Sequence, residues 1–229
     1  MKRVQVNLGM VVVLMASASL SAQSDQATRI RLATTVLNEI MAAPDQAIPA
    51  SVLDKAEAIA VFPSTIKGGF VLSAHRGKGL ISVRDRAADT WSLPAFLTMT
   101  GGGFGAQIGA QSIDLVLVVM NRRGLEKLLQ NQFTVGAGAD MTAGPVGRAA
   151  EASTDIQMRA QILSYSRAQG LFAGVSLRGA AIRQDLDSNE DYYGQPHPTR
   201  AIVIDKRAGV PARAEELDAW FSSLAKYVR

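Results

Sequence analysis

The chain has 229 residues, of which 48% are hydrophobic and 19% charged; that length and balance suit one packed globular domain and exclude a disordered chain. Cysteine is absent, which excludes disulfides, thiolate metal sites and a cysteine-borne lipid anchor. The net charge is +4, with Lys2 and Arg3 among its cations; a bulk charge so small does not point to nucleic acid, so any electrostatic function must reside in local clusters.

Residues 1–22 read as a secretory signal peptide. Lys2 and Arg3 form a basic start, Leu8 to Ala16 is apolar but too short to span a bilayer, and Ala16-Ser17-Ala18 offers a cleavage site, with Ala22 as a second. The expected location is periplasmic or secreted, peripheral to a membrane, with a single domain over 23–229. From Ala27 to Met41 the apolar residues Ile30, Ala33, Leu37 and Ile40 recur at helical spacing, and Pro44 follows. Ser51 is placed to cap a second, short helix. Ala58 to Phe62 reads as a buried strand closed by Pro63, and Gly68 to Ser73 as the next.

Gly77-Lys78-Gly79 reads as a turn leading back into Leu80 to Val83. An extended run starts at Trp91 and reaches Thr100. Ile113 to Met120 is β-branched and strand-like, and Arg122 to Asn131 is a short amphipathic helix. Two more strands are expected over Phe133–Met141 and Asp155–Ser166, with Leu171 to Gln184 pairing back across Ala168-Gln169-Gly170. Pro211 suits the first turn of a last helix carrying Leu217, Trp220, Phe221 and Leu224 on one face. Many strands, few helices and no βαβ alternation predict an α+β domain. Glycines within the strands weaken a flat sheet, so the expected form is a strongly coiled antiparallel sheet or flattened β-barrel-like core with short helices packed at its ends.

Chemical motifs are few. Gly101 to Ala106 contains G-x-G-x-x-A after a strand, but a dinucleotide site needs a helix next, and more strand follows. Asp185, Asp187 and Asn189 open like a calcium loop, yet Glu190 stands where glycine is required and Pro196 where the final glutamate is required; a helix cap is the better reading. His75 and His197 lack ligand-spaced partners, and no serine has a nucleophile setting, so a non-enzymatic module without cofactor or metal is expected. Asp114 lies inside an apolar run and should need an arginine or backbone amides as partner.

An ordered set of segments resembles the SYLF domain family. It comprises Ile66 to Val71, Gly77 to Gly79, Trp91 to Pro94, Gly102 to Gly109, Asp114 to Val116, Gly144 to Arg148, Tyr165 to Leu177, and Asn189 with Tyr192-Tyr193-Gly194. The resemblance implies lipid binding. Eukaryotic members bind phosphoinositides through basic residues and an amphipathic N-terminal helix, and some fungal members bind actin. For an exported chain the resemblance implies ordinary anionic phospholipids. The lack of a further interaction domain argues against actin binding.

Head groups need cations and open backbone amides. The candidates are Lys67 with Gly68 and Gly69, Arg76 and Lys78 beside the expected turn, Arg84, Arg122 and Arg123, and Arg148 and Arg167. Arg86, Lys127 and Arg178 are further cations. The apolar face of the first helix is a second lipid-facing candidate, although its sparse Lys and Arg favour packing on the sheet. The alternative function is a structural or protein-interaction module with a protein partner in the cell envelope.

Overall fold

The computed structural model describes the backbone of residues 8–43, 47–68, 72–104, 110–135, 141–146, 160–168, 171–172, 179–212 and 214–228; side chains are described there except at 8–24, 67–68, 72–75, 102–104, 110–111, 168 and 171–172. Helix α1 (Leu8–Met41) takes in much of the expected leader, ends ahead of Pro44, and is followed by α2 (Ala50–Leu53). Then come β1 (Ala58–Gly68), β2 (Leu72–Asp85), β3 (Thr90–Trp91), β4 (Ala95–Phe104) and β5 (Ala110–Val119). Helix α3 (Arg122–Leu128) leads to β6 (Gln132–Thr134), β7 (Met141–Ala143), β8 (Ile162–Ala168), β9 (Leu171–Phe172) and β10 (Ala180–Gln184). Three helices close the chain: α4 (Leu186–Tyr193), α5 (Thr199–Val203) and α6 (Glu215–Tyr227).

The strands form a strongly curled, half-barrel-like sheet in the order β6-β10-β4-β2-β1-β5-β8-β7. Neighbours are antiparallel except for β7 on β8. Strand alternation builds a core on each face. The inner core holds Phe62, Ile81, Leu97, Met99 and Leu117, and is closed by Leu125 and Leu128 of α3 and Ile202 and Val203 of α5. The outer face presents Ile59, Val61, Leu80, Phe96 and Val116, on which α1, α2 and α6 lay Ile30, Leu37, Leu53 and Trp220. The apolar face of α1 is thereby spent: Ile30, Ala33, Leu37 and Ile40 are fully buried. That stripe packs on the protein and is not free to lie in a head-group layer.

Several local expectations are corrected. Pro63 does not end β1, because a bulge between Phe62 and Thr65, with Ser64 at φ 51°, takes up the residue that cannot join a ladder. Pro49 occupies the N-cap position of α2 without a side-chain cap bond, and Ser51 lies within the helix instead of capping it. Leu171 to Gln184 does not return as one strand: Leu171–Phe172 pairs with β8, whereas Ala180–Gln184 crosses to β4 and β6. Pro211 precedes the last helix by a full turn, since α6 begins at Glu215. Of the strands expected over Phe133–Met141 and Asp155–Ser166, the described residues show β6 to Thr134, β7 from Met141 and β8 from Ile162, while residues 136–140 and 151–159 lie outside the described residues.

Gly77-Lys78-Gly79 is not a turn but the middle of β2. The bulge in β1 pushes two side chains over these glycines. A Cβ on Gly77 would lie 2.5 Å from Thr65 Oγ1, and one on Gly79 would lie 2.5 Å from both Phe62 Cδ1 and the Val61 carbonyl oxygen. The glycines are therefore the space into which Phe62 and Thr65 fold. Gly79→Ala should lose about 1–3 kcal/mol through forced displacement of backbone, read as a lower urea midpoint, whereas Gly209→Ala, which meets nothing within 4 Å, should leave the midpoint unchanged.

Candidate functional site

The helices cover the outer face only toward the Ala58 end of β1. Among the described residues nothing covers the outer face beyond Val61 and Leu80, and register defines what it displays. One row runs Gln132, Arg183, Thr98, Lys78 across β6, β10, β4 and β2. The next runs Thr134, Ala181, Thr100, Arg76, Ile66, Ser112 across β6 to β5. Arg76, Lys78, Arg183, Thr100 and Ser112 are exposed, and Ile66 keeps 58% of its surface. From β6 to β1 the two rows hold three cations and no acid. Among the described residues neither Arg76 nor Lys78 has an ion-pair partner, whereas Arg183 bonds Gln132 Oε1 at 2.6 and 2.9 Å.

At the β5–β8 side the charges are neutralised. Asp114 accepts from the Ser64 amide at 2.9 Å and from Arg167 Nη2 at 3.1 Å, so it has both kinds of partner its position demands. The same Arg167 nitrogen also donates to Glu39 of α1. Arg167 thus ties the helix to the sheet and serves two carboxylates; it is no open lipid cation. Burial works against its charge, and the bonds to Asp114 and Glu39 outweigh it, holding the guanidinium above its usual range.

A second tie holds the other end of the covered α1 segment. Arg29 Nη1 donates to Asp185 Oδ2 at 2.9 Å, Nη2 donates to Ser188 Oγ at 3.1 Å, and the guanidinium stands 5.0 Å from the Phe96 ring centroid. Burial draws the Arg29 pKa below its ordinary value against the pull of Asp185 and Asp25. Asp185 is also the N-cap of α4, accepting from the Ser188 amide, and Asn189 is occupied by Phe96 N and the His197 carbonyl. These residues are the cap that the sequence suggested, and among the described residues no cluster of three or more acids or histidines could hold a metal.

The expected cations therefore divide. Arg76 and Lys78 lie together on the bare face; Lys67 registers with His75 and Gln111, a row of the other face, and so does not join them, and it and Gly68 are described as backbone only. Gly69, Arg148 and Arg178 lie outside the described residues. Arg84, Arg122 and Arg123 do not join the site: they stand at the opposite end of the sheet, where Ala58 meets Val83 and Val119. Arg84 there bonds the Asp54 carbonyl and Asp89, and Arg122 bonds Glu126. Arg86 likewise serves the Ala56 carbonyl and Glu57. Arg183 was missed. Its signal is present in Ala180-Ala181-Ile182-Arg183, where a core residue at 182 sends 183 to the opposite face.

Fold and site together define an α+β half-barrel module with one bare, cationic end. Residues 100–224 match the Ysc84 family, described as "Las17-binding protein actin regulator". The chain is 31% identical over 202 residues to Protein YSC84 of Saccharomyces cerevisiae, covering 87% of this chain and 42% of the yeast protein. It is 30% identical over 201 residues to SH3 domain-containing YSC84-like protein 1 of Xenopus laevis, covering 87% and 59%. The Homo sapiens protein of that name is 33% identical over 175 residues, covering 76% and 50%. The chain belongs to the Ysc84, or SYLF, domain family. It spans about half the length of these relatives. The family's description as an actin regulator leaves the expectation against actin binding without support.

Because the Arg29–Asp185 pair is 7% and 12% exposed at its side chains, Asp185→Ala strands a buried guanidinium and removes the α4 cap. It should cost about 3 kcal/mol, measured as a fall in thermal midpoint. The double variant Arg29→Met with Asp185→Ala should recover part of that loss.

Proposed function

We propose that this domain binds the surface of anionic phospholipid membranes without catalysing a reaction, and that it does so after export, in the periplasm or outside the cell. The observation that carries the reading is the bare outer end of the sheet, where Arg76, Lys78 and Arg183 share two rows from which acids are absent between β6 and β1. Each such cation contributes roughly 1 kcal/mol at an anionic surface, so three give binding that is useful, reversible and sensitive to salt. Thr98, Thr100 and Thr134 add hydroxyl donors between the cations. Contact with a surface is favoured over enclosure of one lipid, because the face opposite the cationic rows is filled by Phe62, Ile81, Leu97 and Met99 at zero exposure. Among the described residues no helix is long and apolar enough to cross a membrane, so anchorage by those helices is not part of the reading. Export is supported by Lys2, Arg3 and the apolar run from Leu8 to Ala16.

A second reading follows from the relatives: the "Las17-binding" and "actin regulator" descriptions favour a protein partner, and charge complementarity to the same cations would make its contact surface acidic. Cosedimentation with phosphatidylglycerol/phosphatidylcholine vesicles separates the two. The parent protein should pellet in proportion to phosphatidylglycerol content and lose binding as salt rises. The triple variant Arg76→Glu, Lys78→Glu, Arg183→Glu should bind at least tenfold more weakly with its far-UV circular dichroism unchanged. Equal pelleting of the triple variant removes this site, and no pelleting of the parent at low salt leaves the protein-partner reading standing.

A further inference from the structure

We propose that Arg183 is the fixed, phosphate-gripping member of the bare face and that Gln132 is the positioning residue that sets it; this rests on the lipid-surface reading above and adds a mode of recognition to the charge which that reading uses. Arg183 of β10 stands directly opposite Gln132 of the edge strand β6. Its Nε and Nη2 both donate to Gln132 Oε1, at 2.9 and 2.6 Å. Those two bonds occupy one edge of the guanidinium. Among the described residues the other edge, formed by Nη1 and the second Nη2 hydrogen, has no hydrogen-bond partner, and the side chain is exposed. A guanidinium edge carries two parallel N–H donors that match two phosphate oxygens, so the open edge takes a phosphodiester through a bidentate contact.

The pair is braced on both faces of the sheet. On the outer face Gln132 Nε2 donates to Thr134 Oγ1 at 3.4 Å, which turns Oε1 toward Arg183. Phe133 and Ile182, the neighbours of the pair along each strand, are buried in the inner core and hold Gln132 and Arg183 outward. One position along, Gln184 Nε2 donates to Asn131 Oδ1 at 3.0 Å, and Gln184 Oε1 accepts from the Thr199 amide at 2.9 Å, so the β6–β10 ladder is also tied to α5. The neutrality of the acceptor matters as much as its place. Arg84, Arg122 and Arg167 are ordered by Asp89, Glu126 and Asp114, carboxylates that cancel the charge they hold. Gln132 orders Arg183 with an amide and leaves its whole charge to a ligand. Arg76 and Lys78 have no described partner and lose rotamer freedom when an anion fixes them. Arg183 has given up that freedom before any ligand arrives. The mobile pair thus supplies attraction, and the preset fork supplies the direction in which a head group is held.

Cosedimentation with phosphatidylglycerol/phosphatidylcholine vesicles over a salt series separates positioning from charge. Gln132→Met removes the acceptor and keeps the number of cations, so affinity should fall about three- to tenfold while its slope against salt is preserved. Gln132→Glu should pair with Arg183 and cancel it, lowering affinity and making the slope shallower. Arg183→Lys keeps the charge without the fork and should match Gln132→Met. In an Arg183→Met background, Gln132→Met should have no further effect, because Gln132 acts through Arg183. Parent-like binding by Gln132→Met or Arg183→Lys, or an undiminished effect of Gln132→Met in the Arg183→Met background, overturns the proposal and leaves the lipid-surface reading standing. Failure of the parent to pellet at low salt overturns the reading on which it rests.

Discussion

Two apolar layers cannot both be covered along the full length of these strands, and the rest of the molecule follows from where the cover stops. The inner layer is covered by α3 and α5, through Leu125, Leu128, Ile202 and Val203. The outer layer depends on α1, α2 and α6, whose described side chains lie over one end. Under the helices the outward positions are Ile59, Val61, Leu80 and Phe96; past their reach, the same alternate positions become lysine, arginine and threonine. A strand of fixed pleat thus carries a core surface and a binding surface on one face, divided by the edge of the helical layer.

Holding that layer in place is the task of the buried charges. Arg29 and Arg167 fasten α1 near the two ends of its packed segment, one to the cap of α4 and the other to Asp114 in the sheet. The Trp220 indole adds a third tie from α6 by donating to Ser82 Oγ at 3.0 Å. Such contacts are costly to break singly because each leaves a polar or charged group without water or partner. They also remove Arg167 from the pool of cations a ligand can use. What is free for binding is decided by subtraction: among the described residues most arginines are engaged with carbonyls and carboxylates, while Arg76 and Lys78 are engaged with neither.

Much of the architecture was legible along the chain because its signals are local. The three- and four-residue spacing of Ile30, Ala33, Leu37 and Ile40 needs no partner to be read as a buried helix face, and the β-branched run from Ile113 reads equally well as a strand. The curled sheet followed from glycine in strand contexts. Two of the errors share one cause. Pro63 and the Gly77-Lys78-Gly79 triplet are local signs of a break, but the bulge at Ser64 absorbs the proline, and the glycines make room for Phe62 and Thr65 from the next strand. A distant neighbour overrode the local preference in both cases.

Residue order alone was enough to establish an α+β domain of the SYLF family, the absence of disulfide chemistry, and a need for partners at Asp114, since these depend on composition, periodicity and ordered motifs. It could not sort the cations. Arg76, Arg84, Arg122 and Arg167 look alike in one dimension, yet long-range pairing sends Arg84 and Arg122 to the far end, engages Arg167 with two acids, and draws Arg183 from over a hundred positions away into line with Lys78. Cross-strand register, which couples residues far apart in the chain at a spacing of about 5 Å, makes that distinction, and only folding creates the register.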